Sequence, residues 1–312
     1  MSAALLDAIR ALIQQDIGKR GLAADPADNL FTACPGDFEA ACRSIAEHPQ
    51  PALAVVTGFY IAQADPPCGE TDGPLGALFL ARALTPLGVT IALVTDSFCR
   101  QALEVGLKTC GLRDRVLVLT LPPAHAWPDY LALEWQSFRQ RAALTHLVAL
   151  ERVGPGQDGR SRNMRGLDIT DNTTPAYFLF TEAARPSPRL VTVGIGDGGN
   201  EIGMGKIAAD VIRRNIPNGG QIACRVPVDH LIVAGVSNWG AYALAAGVAL
   251  LRGQRLPASL FDIEQECELL RIMVEKGPLV DGVTARPTVS VDGLSFSDYV
   301  QPLRRLGELM GA

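Results

Sequence analysis

Paired cysteines, blocks of basic residues and long apolar runs are all missing from this sequence. Its seven cysteines, at positions 34, 42, 68, 99, 110, 224 and 267, are odd in number and contain no C-x-x-C pair. That argues against a disulfide framework or a zinc knuckle and fits a reducing cytoplasm. The 28 basic residues form no cluster, and against 33 acidic residues they leave a formal net charge of -5. There is therefore no electrostatic reason to expect nucleic acid as a partner. No run approaches the ~18 apolar residues a membrane span requires. Segment 1–22 places Leu5, Leu6, Ile9, Leu12, Ile13 and Ile17 at helical spacing, with Asp7 and Asp16 interrupting. It lacks the continuous apolar centre and small-residue cleavage site of a signal peptide. A cytoplasmic protein with small-molecule partners and no membrane contact is expected, and a homo-oligomer is compatible with these features.

What the chain does have is a glycine-rich stretch, Gly194 to Lys206, directly after the apolar run Leu190-Val191-Thr192-Val193. Its glycines surround Asp197, Asn200, Glu201 and Lys206. A β-branched run ending in glycines predicts a strand giving way to a tight turn, the place where ligands bind in an open α/β sheet. Gly194-x-Gly196-x-x-Gly199 matches the dinucleotide pattern, but positions 212–216 read Ile-Arg-Arg-Asn-Ile and supply no acid for the ribose. A P-loop fails too, because Asn200 and Ile207 stand where glycine and Ser or Thr are needed. Asp197 and Glu201 would also repel a phosphate held in the same loop. No nucleotide cofactor is expected. Carboxylates beside an amide oxygen suit a hard divalent cation or an ammonium group.

The rest of the chain alternates apolar runs with helical patterns. Strands are predicted at 52–58, 89–95, 116–121, 146–150, 190–193 and 230–236, with a further one near 288–291. Helices are predicted at 1–22, from Asp37 as cap to His48, at 75–84, 99–107, 128–145, 174–184, 241–251, 261–276 and 296–310. This rotation predicts an α/β fold, mainly parallel and Rossmann-like, with helices on both faces and helical elaborations at the termini. One domain spanning 1–312 is the simplest organisation. The polar stretch 154–171, with Arg160, Arg162, Asn163, Arg165 and Asp168, is a long loop of the kind that usually carries function.

Glu70, Asp72, Asp96, Glu151, Asp197, Glu201, Ser237 and Asn238 all lie just past predicted strands, so a parallel sheet would gather them at one edge. Such a cleft must hold a cation, keep some acids protonated or stay wet. Either a divalent metal (Mg, Mn or Ca) with oxygen ligands or an amine-recognising acidic pocket satisfies this, the metal candidates being Glu70, Glu151, Asp197 and Glu201. Asp96 reads best as a helix cap. Arg160 and Arg162 read as solvated, and Arg165 as a clamp for a substrate carboxylate. Gly235-Val236-Ser237-Asn238-Trp239-Gly240 is one residue too long for a nucleophile elbow, and all four histidines precede Ser237, which excludes an α/β-hydrolase. Ser237 and Asn238 remain candidate ligand donors, with helix capping the alternative for Ser237.

Set side by side, Thr57-Gly58-Phe59, Glu70-Thr71-Asp72-Gly73-Pro74 with Gly76-Ala77, Val94-Thr95-Asp96, Glu151-Arg152, Asn163-Met164-Arg165-Gly166, Gly194 through Lys206 and Ser237-Asn238-Trp239-Gly240 resemble the D-glutamate cyclase family. The resemblance spans residues 57–240 and implies a lyase interconverting D-glutamate and 5-oxo-D-proline with loss of water. On that reading Asp197 or Glu201 binds the ammonium or acts as base. Glu70, Glu151, Asp197 and Glu201 are the catalytic and metal candidates, and Asp72, Asn163, Arg165, Asn200, Ser237 and Asn238 hold substrate. The alternative is a metal-dependent hydrolase or phosphatase using the same acids on another small anion.

Overall fold

The computed structural model describes residues 2–183 and 188–311. In chain order its strands are β1 (Ala52–Thr57), β2 (Tyr60–Ile61), β3 (Cys68–Gly69), β4 (Thr90–Thr95), β5 (Leu117–Thr120), β6 (His146–Leu150), β7 (Val191–Gly196), β8 (His230–Val233), β9 (Ser290–Val291) and β10 (Leu294–Ser295). Six of them form one sheet in the order β5-β4-β1-β6-β7-β8, every neighbouring pair parallel. The order reverses between β1 and β6, and in open α/β sheets that switch point opens a crevice outside the strands' carboxyl ends. β2 with β3, and β9 with β10, are small antiparallel hairpins beside the main sheet.

β1 lies at the centre and all six of its residues are buried. Its period-2 alternation sends Leu53 and Val55 to one face and Ala54 and Val56 to the other. The first face packs on the helices Asp37–Ala46, Pro74–Leu84 and Ser237–Leu251, and Phe79, Trp239 and Tyr242 fill the layer. Trp127, Trp135, Phe138 and Leu179 cover the second face. Each Leu, Val or Phe fully buried this way contributes roughly 1.5–3 kcal/mol, so the sheet is held by both layers.

Several expected boundaries move for identifiable reasons. The first helix stops at Ile13, and Ile17 is exposed. Asp16 ends the pattern because its carboxylate accepts the backbone N–H groups of Arg20, Gly21 and Leu22, folding 16–22 into a turn. Asp37 does not cap its helix. Gly36 holds the cap position, and Asp37 accepts from Leu231 N–H and pairs with Lys206. The helix predicted over 128–145 is broken by a π-helical stretch, Tyr130–Trp135. The helix expected over 174–184 is Tyr177–Ala183, and residue 184 lies outside the described residues.

Candidate active site

The carboxyl ends of β1 and β6 carry the chain into Gly58-Phe59 and Glu151-Arg152 on either side of the switch point. Glu151 sits in the left-handed region, φ 45°, which costs a non-glycine residue roughly 1–2 kcal/mol. The turn aims its carboxylate inward, where Oε2 accepts from Ser237 Oγ at 2.5 Å. Arg152 points the other way, fully buried. Its guanidinium meets both oxygens of Asp96 at 2.8 and 3.0 Å and donates to the Gly58 carbonyl. Asp96 does occupy the cap position of the helix Ser97–Thr109, but its side chain makes no capping hydrogen bond because Arg152 and Thr174 engage it.

A reciprocal clamp joins two helix N-termini beneath the site. Asp72, just before Pro74–Leu84, accepts the N–H groups of Ser237 and Asn238 at 2.9 and 2.8 Å, capping the other helix. Asn238 Oδ1 in turn accepts the N–H groups of Gly73 and Gly76. Gly73, at φ +89°, is required here, since a Cβ would lie 2.6 Å from Thr57 Oγ1 and 2.9 Å from Glu151 Cβ. Ser237 N–H also reaches Asp197 Oδ2 at 3.1 Å. The partial positive charge at the start of the 15-residue helix Ser237–Leu251 thus faces two carboxylates.

The glycine-rich loop after β7 folds back on the strand that precedes it. Glu201 Oε1 accepts the N–H groups of Asp197 and Gly198 at 2.7 and 2.6 Å, shaping the turn, while its buried Oε2 has no hydrogen-bond partner among the described residues. Asn200 donates to the Arg162 carbonyl, tying this loop to the 154–171 loop. There Asn163 Oδ1 accepts from Arg165 and Leu167 N–H, presenting Met164 and Arg165. Lys206 is remote, paired with Asp37.

These pieces enclose one cavity of about 210 Å³ lined by Glu70, Glu151, Asn163, Met164, Arg165, Asp197, Asn200 and, unforeseen from the sequence, Arg20 and Asp292. Drug-sized ligands occupy roughly 300–1,000 Å³, so this space suits a smaller molecule. Larger depressions exist, such as one of about 850 Å³ between the first and last helices, but solvated side chains like Gln15, Arg304 and Glu308 line it and no buried acid does. Glu70, Glu151 and Asp197 therefore share a mouth. Asp72, Glu201, Ser237 and Asn238 stand behind its wall rather than on it. Arg165 reaches the rim, donating to the Val283 carbonyl at 2.7 Å. Arg160 pairs with Asp168 at the surface as expected, whereas the Arg162 side chain, expected to be solvated, is only 11% exposed and pairs with Asp158.

Burial pushes the carboxyls of Glu70, Glu151 and Asp197 well above their usual range, and neighbouring acids add to it. For Asp197 the next influence after burial is Arg20, which pulls it back down. Asp72 is pushed up to about 8, by burial first and the charge of Asp292 second, and burial also raises Glu201. Two triads could hold a metal ion: Asp72, Asp197 and Asp292, and Glu151, Asp197 and Glu201, with candidate oxygens within 4.8 Å of one another. Glu70 belongs to neither. In the first triad the Arg20 guanidinium already contacts Asp197 and Asp292. The second retains the unpartnered Glu201 Oε2, and its all-oxygen donor set fits a hard ion.

A six-stranded parallel sheet with an acid-lined cavity at its switch point defines a Rossmann-like α/β protein with room for one small polar ligand. The family described as "D-glutamate cyclase-like, C-terminal" matches residues 9–307, and the chain belongs to that family. It is also similar to a protein from Homo sapiens named D-glutamate cyclase, mitochondrial, at 31% identity over 285 residues, covering 83% of this chain and 46% of that protein. The chain thus spans about half the length of that relative. Among the described residues no helix is long and apolar enough to cross a membrane.

Proposed function

We propose that the chain is a lyase interconverting D-glutamate and 5-oxo-D-proline plus water. The observation that carries this reading is the gathering of Glu70, Glu151, Asp197 and Asp292 with Arg20 and Arg165 around one cavity of about 210 Å³. Ring closure makes a bond between the α-nitrogen and the γ-carboxyl carbon and breaks a carbon–oxygen bond. The nitrogen enters as ammonium and ends with one hydrogen, so it gives up two protons, and the departing oxygen takes both away as water. The site must therefore move protons from nitrogen to oxygen without net release. Carboxyls whose affinity for protons burial has raised hold a proton more readily than exposed acids do, which suits them to exchanging protons with the substrate. Glu70 and Glu151 face the cavity and are so perturbed. Arg165 at the rim, with Asn163 and Asn200 beside it, supplies donors for the substrate's carboxylate.

Glu151, Asp197 and Glu201 would hold a divalent ion if one is resident. It would supply Lewis-acid polarisation of the carboxyl oxygen. The experiment is to incubate purified protein with D-glutamate, L-glutamate and a phosphate ester, with and without EDTA, and to measure 5-oxoproline, phosphate and metal content. Formation of 5-oxoproline from D-glutamate is expected. Phosphate release without 5-oxoproline would replace this reading with the hydrolase alternative.

A further inference from the structure

Arg20 reaches the cavity from a part of the chain with no sequence signal for chemistry. It sits in Gly18-Lys19-Arg20-Gly21, and the turn that delivers it is pinned at both ends. The Asp16 carboxylate accepts the N–H groups of residues 20, 21 and 22 at 2.8, 2.9 and 3.0 Å, and Gly235 N–H donates to the Ile13 carbonyl at 2.8 Å. The side chain is only 14% exposed. Nη1 donates to Asp197 Oδ1, and Nη2 lies 2.7 Å from Asp292 Oδ2. Asp292 is held in turn by the β9–β10 hairpin, where Asp281 Oδ2 accepts from Gly293 N–H and Ser290 Oγ. One rigid guanidinium fork therefore ties together loops from three distant stretches of the chain.

The other two acids on the wall are placed differently. Among the described residues no hydrogen bond or ion pair reaches the Glu70 carboxylate, and Glu151 is met only by the Ser237 hydroxyl. We propose that Arg20 is a positioning residue that allocates the acids: by engaging Asp197 and Asp292 it leaves Glu70 and Glu151 as the groups that meet the substrate's ammonium. This rests on the cyclase reading for the identity of the substrate, but not for the internal cation itself. Without Arg20, Asp292 and Asp197, the latter still met by Ser237 N–H, face the cavity with no cation and compete for the ammonium. Substrate would still be attracted, but held with its nitrogen in the wrong place.

The test compares wild type with Arg20→Ala and Arg20→Lys, using D-glutamate kinetics and melting temperatures in guanidinium chloride against NaCl at equal ionic strength. Arg20→Ala is expected to lose about 100-fold in kcat, the scale of losing a fixed charged donor, while KM stays level or falls. Millimolar guanidinium, and not sodium, should recover about tenfold of that loss and raise the melting temperature of Arg20→Ala but not of wild type. Arg20→Lys folds but cannot span both carboxylates, so its kcat should stay well below wild type. Wild-type kcat in Arg20→Lys, a rise in KM with kcat intact in Arg20→Ala, or no guanidinium-specific response would overturn the proposal. If wild type does not turn over D-glutamate, the cyclase reading fails alone, and the melting-temperature arm still decides whether Arg20 is the site's internal cation.

Discussion

A cavity walled by raised carboxyls should give this protein an unusual dependence of stability on pH. Asp72 is 1% exposed and its carboxyl is pushed up to about 8 from an ordinary value of 3.8. Between those values the unfolded chain has released this proton and the folded chain keeps it. Raising the pH therefore favours unfolding, by about 1.4 kcal/mol per pH unit for each such proton. From pH 6.5 to 8, with the group half ionised at the upper end, Asp72 alone would remove a little under about 2 kcal/mol, or roughly 2–3 °C in melting temperature for a chain of this size. Burial raises Glu70, Glu151 and Glu201 in the same direction, and it raises Asp197 too, with Arg20 pulling against it. His146 opposes them on the acid side. Buried, and pushed down to about 4 from 6.5, it resists a proton that the unfolded chain accepts, so its contribution to stability is lost as the pH falls from 6.5 to 4. The alkaline limb between 6.5 and 8 is thus where the carboxyls act without that offset. Differential scanning calorimetry at constant ionic strength, with EDTA present to keep divalent ions off the acids, measures it directly. The melting temperature should fall through that interval, and Asp72→Asn should flatten the fall by about one proton. A melting temperature that is flat or climbs from pH 6.5 to 8 would refute the account of the acids as proton-holding in the folded chain.

Three further outcomes follow from single contacts. Glu151→Gln should lower kcat by about 10²–10⁴ with the melting temperature little changed, and steady-state kinetics showing activity within a few-fold of wild type would remove it from proton transfer. Arg165→Ala, an exposed rim position, should raise KM for glutamate while stability stays within about 0.5 kcal/mol, as read by parallel kinetics and urea titration. Gly73→Ala forces a side chain into φ +89° and against Thr57 Oγ1, so it should cost at least about 2 kcal/mol in a urea titration. An unaffected midpoint there would mean that the turn before Pro74 is more plastic than its packing implies.

The sheet was legible because its signal is local and repeated. Runs such as Ala52-Leu53-Ala54-Val55-Val56 have few ways to be buried except as central parallel strands, and the acids just past them had to share an edge. That reasoning found Glu70, Glu151 and Asp197. Arg20 and Asp292 were out of its reach because neither lies in a loop that follows a predicted strand of the main sheet, whereas Glu70 belongs to the loop between β1 and the helix Pro74–Leu84. Asp292-Gly293 does carry the hairpin signal, but a turn dipeptide says nothing about which cavity the turn overlooks. Arg20 depends on where Asp16 ends a helix whose apolar spacing runs on to Ile17.

Asp72, Ser237 and Asn238 show a second limit. Residue type and position past a strand favoured ligand contact, yet their polar groups are spent on one another and on the starts of two helices. A buried backbone N–H left unpaired costs about 1–3 kcal/mol, so two helix N-termini meeting in the interior need such partners whatever the chemistry nearby. The same clamp fixes Ser237 Oγ against Glu151 and Ser237 N–H against Asp197. Two of the wall's acids are therefore aimed by a capping arrangement one layer deeper, and that is the physical reason a polar residue at a strand end can govern a site without touching what binds there.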